Sequence, residues 1–171
     1  MSGFRFEPIG VEHNLQFFGC GIDSLDRWLN KEALNAHRGG LSRTHVSVRD
    51  DDPDLHVMGY FALSPTVVTE KVKGRGSRKD GYPSYLLCKL ARHLDVRGTG
   101  HGEELIGQAL LHTVQAADLA GGRFLVVDPA VRGIEDVDVA KLREFYRHYG
   151  FADIEDSNRM YVPIDTIRDS L

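Results

Sequence analysis

Leu90-Ala91-Arg92-His93-Leu94-Asp95-Val96-Arg97-Gly98-Thr99-Gly100-His101-Gly102, followed by Glu103-Glu104-Leu105-Ile106, is the stretch on which the fold turns. An extended run predicted from Ser84 to Leu94 meets glycines after Arg97 and restarts as a helix from about Gly102 to Leu119. A strand that breaks in this way leaves the first N–H groups of the helix unpaired and facing the turn. Glycines at positions 98, 100 and 102 lack the Cβ atoms that would hold an anion off the main chain. The helix dipole favours negative charge there, and Arg97 adds a formal positive charge. The dinucleotide fingerprint needs glycine where Glu103 stands, and the P-loop needs Gly-Lys-Ser/Thr, which is absent. What remains is Arg-x-x-Gly-x-Gly at Arg97 to Gly102. A glycine-rich turn that binds nothing is the other reading of these residues taken alone.

Working outward, the helix carries Leu105, Ile106, Ala109, Leu110, Thr113, Val114 and Ala117 on one stripe. Gly121-Gly122 ends it, and Phe124 to Asp128 is a short apolar run suited to a central strand covered on both faces. An amphipathic helix is predicted from about Asp138 to His148, closed by Gly150. Asn158 to Ile164 alternates as a last strand should. Upstream, Phe4 to Pro8 reads as an opening strand. Gly21 to Ala36 holds Ile22, Leu25, Trp28, Leu29 and Ala33 at helical spacing, with Asp23 as the expected N-cap. Thr44 to Arg49 and Leu55 to Leu63 flank the acidic turn Asp50 to Asp54 as an antiparallel hairpin. Thr66 to Val72 is a further strand candidate, and the remainder to Pro83 reads as an exposed loop. The order of elements is that of a mixed α/β domain.

The chain has 171 residues, 42% hydrophobic and 27% charged, with a formal charge of −4. This composition fits one folded domain and excludes a disordered, collagenous or membrane protein. It also excludes a protein that coats nucleic acid by bulk positive charge. Cys20 and Cys88 lie far apart with no CxxC spacing, so reduced thiols in a cytosolic protein are expected. No signal peptide and no membrane span are expected. Eight histidines fall without metal-ligand spacing, so no metal is expected.

Arg97-Gly98-Thr99-Gly100-His101-Gly102 resembles the acetyl-CoA pyrophosphate loop of GNAT N-acetyltransferases. More closely, the chain resembles the acetyltransferase toxins of bacterial type II toxin–antitoxin systems. Phe17 to Gly21 with Ser24 to Leu29, Gly40 to Thr44, Gly59 to Leu63, Leu90 to Gly102 and Phe145 to Phe151 match that group's pattern in order. The first two segments are its more specific part, because the glycine loop is common to all GNAT enzymes. The resemblance implies a single GNAT domain over residues 1–171, with a central, mostly antiparallel sheet, a splayed central strand pair and flanking helices. It implies acetyl-CoA held by Leu90, Ala91, Arg92, Arg97, Gly98, Thr99, Gly100, His101 and Gly102. It makes Tyr146 the acid that protonates the departing thiolate, with Leu142, Phe145 and Tyr149 on the core side of their helix.

The implied acceptor is the α-amine of aminoacyl-tRNA, and the implied outcome is a block of translation in the cytoplasm. A homodimer and a ribbon-helix-helix antitoxin are implied as well. A GNAT enzyme acting on a small-molecule or protein amine is the first rival reading, and a non-catalytic acetyl-CoA-binding module the second. The family usually has an aliphatic residue at the position of Arg92 and an acid at that of His93. The segment Asp128 to Asp138 is also longer than usual. An α-amino group titrates near about 7.7–8.0, so an appreciable fraction is already neutral at cellular pH. No general base stands out, with His93, His101 and His148 candidates by their nearness to the motifs. For tRNA, Lys71, Lys73, Arg75, Arg78 and Lys79 form a basic loop, joined by Arg38 and Arg43, while the acids cluster elsewhere in the sequence.

Overall fold

The computed structural model describes residues 3–129 and 138–171. The long segment before the last helix falls mostly on residues 130–137, outside the described residues. The elements are β1 Phe4–Pro8, α1 Asp23–Lys31, α2 Ala33–Gly39, β2 Arg43–Arg49, β3 Gly59–Val68, β4 Tyr82–Arg92 and α3 His101–Ala120. They continue with β5 Phe124–Val127, α4 Val139–His148, β6 Ala152–Asp153, β7 Met160–Pro163 and α5 Ile164–Ser170. The strands make one seven-stranded sheet in the order β1-β2-β3-β4-β5-β7-β6. β1–β2, β2–β3, β5–β7 and β7–β6 are antiparallel. β4 and β5 are parallel through Tyr85↔Leu125 and Leu86↔Val126, and β4 continues to Arg92.

The chain divides into two compact units, one of residues up to Ser64 with Cys88–Ala109, the other of Pro65–Leu87 with Leu110–Leu171. In the first, Leu29, Ala33, Val46 and Tyr60 are fully buried and pack with Ile9, Phe18 and Ala91. Ser47 alternates onto the polar side of β2 in the sequence pattern, yet it is fully buried, because its hydroxyl pairs with His101 Nε2 at 2.7 Å. In the second, Val68, Val72, Tyr82, Phe124, Val126 and Ile154 form the core. All four residues of β5 are buried, as expected of a central strand.

Several boundaries differ from the expectation. The first helix is two: Glu32 leaves helical geometry (φ −125°), and the bend falls between the buried anchors Leu29 and Ala33. Asp23 is the first helical residue rather than the cap, which is Ile22. Asp26 instead reaches back, its Oδ1 accepting from Cys20 N at 2.9 Å. The strand expected over Leu55 to Leu63 and the candidate over Thr66 to Val72 are replaced by one strand, β3, which runs through Pro65. Pro65 has no N–H to give a ladder, and it is exposed. β6 and α5 were not expected. β6 has only two residues, and α5 follows β7 with no turn residue between them.

Candidate active site

β4 ends at Arg92 and leads into a tight 3-10 turn, Leu94–Val96. His93 Nδ1 accepts from Asp95 N at 3.0 Å, and Arg97 N donates to Leu94 O at 3.1 Å. Val96 is buried beneath the turn and its carbonyl takes both the Thr99 N–H and the Thr99 hydroxyl, the latter at 2.6 Å. Gly98 and Gly100 then adopt φ of +76° and +86°, in the left-handed region where a side chain is strained. α3 starts directly after, with Glu104 N donating to Gly100 O. Among the described residues no acceptor faces the N–H groups of Gly98, Gly100, His101, Gly102 and Glu103. Nothing lies within 4 Å of where a Cβ on Gly98 or Gly100 would stand. This open nest at a helix N-terminus fits a pyrophosphate.

Two side chains at this turn make contacts that the sequence does not record. His101 does not face the turn: it is 1% exposed, rests against the Phe4 and Phe6 rings and pairs with Ser47. Burial lowers its pKa, opposed by Glu104 and aided by Arg49 and Arg92. Its contribution to the nest is therefore its main-chain N–H. Arg92, implied among the residues that hold acetyl-CoA, has its Cδ and Nε 3.7 Å from where a Cβ on Gly102 would be. The Arg92 side chain thus covers the first turn of α3 and brings a positive charge beside the glycine turn. Strand alternation alone gives no sign of this, because the contact is made across the turn. Leu90 is half-buried and Ala91 buried on the same strand.

Tyr146 lies on α4, whose N-terminus is capped by Asp138 accepting from Lys141 N at 3.1 Å. Helical spacing puts Leu142, Phe145 and Tyr149 on the core side. In the structure Tyr146 is the most buried of them, at 5% exposure, while those three are half-buried. Edge-to-face contacts with Phe145 and Phe151, both at 5.3 Å, fix its ring. Burial raises the phenol pKa, so it stays protonated at neutral pH.

None of the three histidines is poised as a base. His101 is sequestered. His93 is held at both nitrogens, by Asp95 N and, at 2.9 Å, by Phe17 O. His148 is exposed in the last turn of α4 against Tyr149. Asp52, Asp54 and His56 bring ligand atoms within 4.8 Å of one another, but His56 N and Nδ1 both engage Asp52 Oδ2 at 2.9 Å, which closes the acidic turn.

Of the basic residues, Lys71, Lys73, Arg75, Arg78 and Lys79 are exposed. Arg75 lies over the Phe124 ring at 5.6 Å, and Arg78 Nη1 donates to Gly81 O. Arg38 is exposed at the end of α2, and Arg43 Nη1 donates to His37 O at 2.8 Å.

A mostly antiparallel sheet, its parallel strand pair, and a glycine nest opening a long helix together define a GNAT-fold acetyltransferase. No protein-family model matches the chain. A tRNA-acetylating toxin of Mycobacterium tuberculosis is 36% identical over 155 residues, covering 88% of this chain and 86% of the relative. A probable toxin TacT of Sinorhizobium fredii is 28% identical over 95% of this chain and 92% of its own length. The chain belongs to the tRNA-acetylating toxin family.

Among solved structures, a tyrosine-to-phenylalanine mutant of KacT has a TM-score of 0.84 at 23% identity, covering 99% of both chains. AtaT complexed with acetyl-methionyl-tRNA has a TM-score of 0.83 at 23% identity, covering 98% of both. AtaTR bound with acetyl-CoA has a TM-score of 0.78 at 25% identity, covering 99% of both. No helix among the described residues is long and apolar enough to cross a membrane.

Proposed function

We propose that this protein is a single-domain toxin that moves the acetyl group of acetyl-CoA to the α-amine of aminoacyl-tRNA, and so blocks translation. The observation that carries the reading is the 36% identity to a tRNA-acetylating toxin over most of both chains. The open nest at Gly98 to Glu103 supports acetyl-CoA as donor, since its N–H groups, Arg97 and Arg92 suit a pyrophosphate. Leu90, Ala91 and Arg92 offer main-chain groups to the pantetheine chain, as a strand edge would.

Acetyl-CoA brings the thioester. The amine nitrogen forms a bond to the carbonyl carbon, the C–S bond breaks, and the Tyr146 hydroxyl gives its proton to the departing thiolate sulfur. The amine proton leaves through solvent, because an α-amine with a pKa near 8 needs no strong base. This agrees with the engagement of His93 and His101 elsewhere. Lys71, Lys73, Arg75, Arg78 and Lys79 contact tRNA phosphates, as do Arg38 and Arg43. The protein acts in the cytoplasm as a homodimer and is neutralised by a ribbon-helix-helix antitoxin.

Induced expression tests the toxin reading. Growth should stop, and Tyr146→Phe should restore it at equal protein level. Normal growth on expression of the intact, folded chain would overturn it.

A further inference from the structure

We propose that His101, through its buried hydrogen bond to Ser47, is a positioning residue that holds the glycine nest at the start of α3 in place on the sheet, an assignment that rests on the acetyl-CoA reading above. Its ring is 1% exposed, and its Nε2 lies 2.7 Å from the Oγ of fully buried Ser47. Phe6, Ser47 and Gly59 are cross-strand partners on β1, β2 and β3, so they form one row on a single face of the sheet. The His101 ring rests on that row, stacked on Phe6 at 5.9 Å and paired with Ser47.

Gly59 makes the room. A Cβ there would stand 3.1 Å from His101 Nε2, 2.9 Å from Ser47 Oγ and 2.7 Å from Leu105 Cδ1, one turn further along α3. This glycine opens Gly59 to Leu63, one of the segments that carry the family resemblance, and it takes no other part in the site. Its missing side chain lets the first turn of α3 come down onto β2 and β3.

The nest has little else to hold it. Gly98, Gly100 and Gly102 have no side chains, and the Thr99 hydroxyl bonds to Val96 O within the turn itself. Among the described residues the other hydrogen bonds of residues 97–102 are also local, so the His101–Ser47 bond alone ties them to the sheet. Anion-binding N–H groups must be held within about 0.5 Å of the productive geometry, and one directional bond fixes a helix start better than apolar contacts, along which it can slide. A leucine would fill the same space without burying polar atoms. His101 instead keeps a buried Nδ1 with no partner among the described residues, a cost to stability expected of a residue retained for position rather than for packing.

The full-length protein is titrated calorimetrically with CoA, and with pantetheine, which ends before the pyrophosphate, by displacement of CoA. In Ser47→Ala the nest loses its tie. Affinity for CoA should fall roughly fivefold, the scale of one hydrogen bond, and affinity for pantetheine should not change. His101→Leu should show the same fall for CoA, whereas His101→Gln, which keeps a donor at similar reach, should stay within about twofold of wild type.

Ser47→Ala combined with His101→Leu separates position from fold stability. With both partners apolar, neither is left unpaired, so the melting temperature should return at least to that of the wild type. The CoA affinity should remain about fivefold down, no lower than in either single variant. Affinity that recovers together with the melting temperature would overturn the proposal, as would equal losses for CoA and pantetheine. A wild-type preference for CoA over pantetheine that persists unchanged in folded Ser47→Ala would remove the tie and leave the acetyl-CoA reading standing. Wild-type protein that binds CoA no more tightly than pantetheine would remove both.

Discussion

Tyr146, proposed as the general acid for the departing thiolate, lies in a dry setting that keeps its proton. Its ring is buried against Phe145 and Phe151, and burial raises the phenol pKa above its usual value near about 10. In the proposed role the protonated phenol is the active form, so a raised pKa moves its loss to higher pH. The acetylation rate, as kcat/KM for charged tRNA, is therefore expected to rise through pH 7–8 as the acceptor amine loses its proton and then stay level past about pH 10. A falling limb between pH 8 and 9, or a limb near about 6.5 traceable to a histidine, would contradict this assignment. Tyr146→Phe keeps the ring contacts and removes the proton. It should lower kcat by about 10²–10⁴-fold with little change in KM for acetyl-CoA, measured by steady-state kinetics.

At the scale of elements, donor binding is the role proposed for the strand–turn–helix from β4 to α3. Gly100 holds φ +86° with open space beside it, so Gly100→Ala both strains the turn and fills the approach to the main chain. Isothermal titration with acetyl-CoA should show affinity falling by roughly tenfold or more, the scale of one lost charge-assisted hydrogen bond. Unchanged affinity would mean the nest does not hold the pyrophosphate.

This element was legible because glycine spacing is a backbone property that sequence records directly. The α1–α2 break was not, since it involves neither Pro nor Gly and is made by packing around Leu29 and Ala33. The burial of Tyr146 escaped periodicity for a related reason: α4 carries Leu142, Phe145, Tyr146 and Tyr149, and helical spacing does not rank them. Arg92 over Gly102 and the His101–Ser47 pair are contacts across turns or between elements, which no local pattern encodes.

For the whole molecule, the net charge of −4 means that tRNA affinity must come from local phosphate contacts. Each neutralised phosphate contributes roughly −0.7 to −0.9 to the slope of log K against log salt. Replacing Lys71, Lys73 and Lys79 together with alanine should flatten that slope by about two, read from filter binding across salt concentrations. An unchanged slope would remove the loop from the tRNA face. These three lysines are exposed, so thermal stability should be little affected.

The most direct measurement of the central claim is transfer of labelled acetyl groups. The purified protein is given labelled acetyl-CoA with one tRNA pool in two forms, charged and deacylated. Label is expected on the charged pool, bound to the aminoacyl nitrogen, and absent from the deacylated pool. No label on charged tRNA, or equal label on both pools, would contradict the assignment.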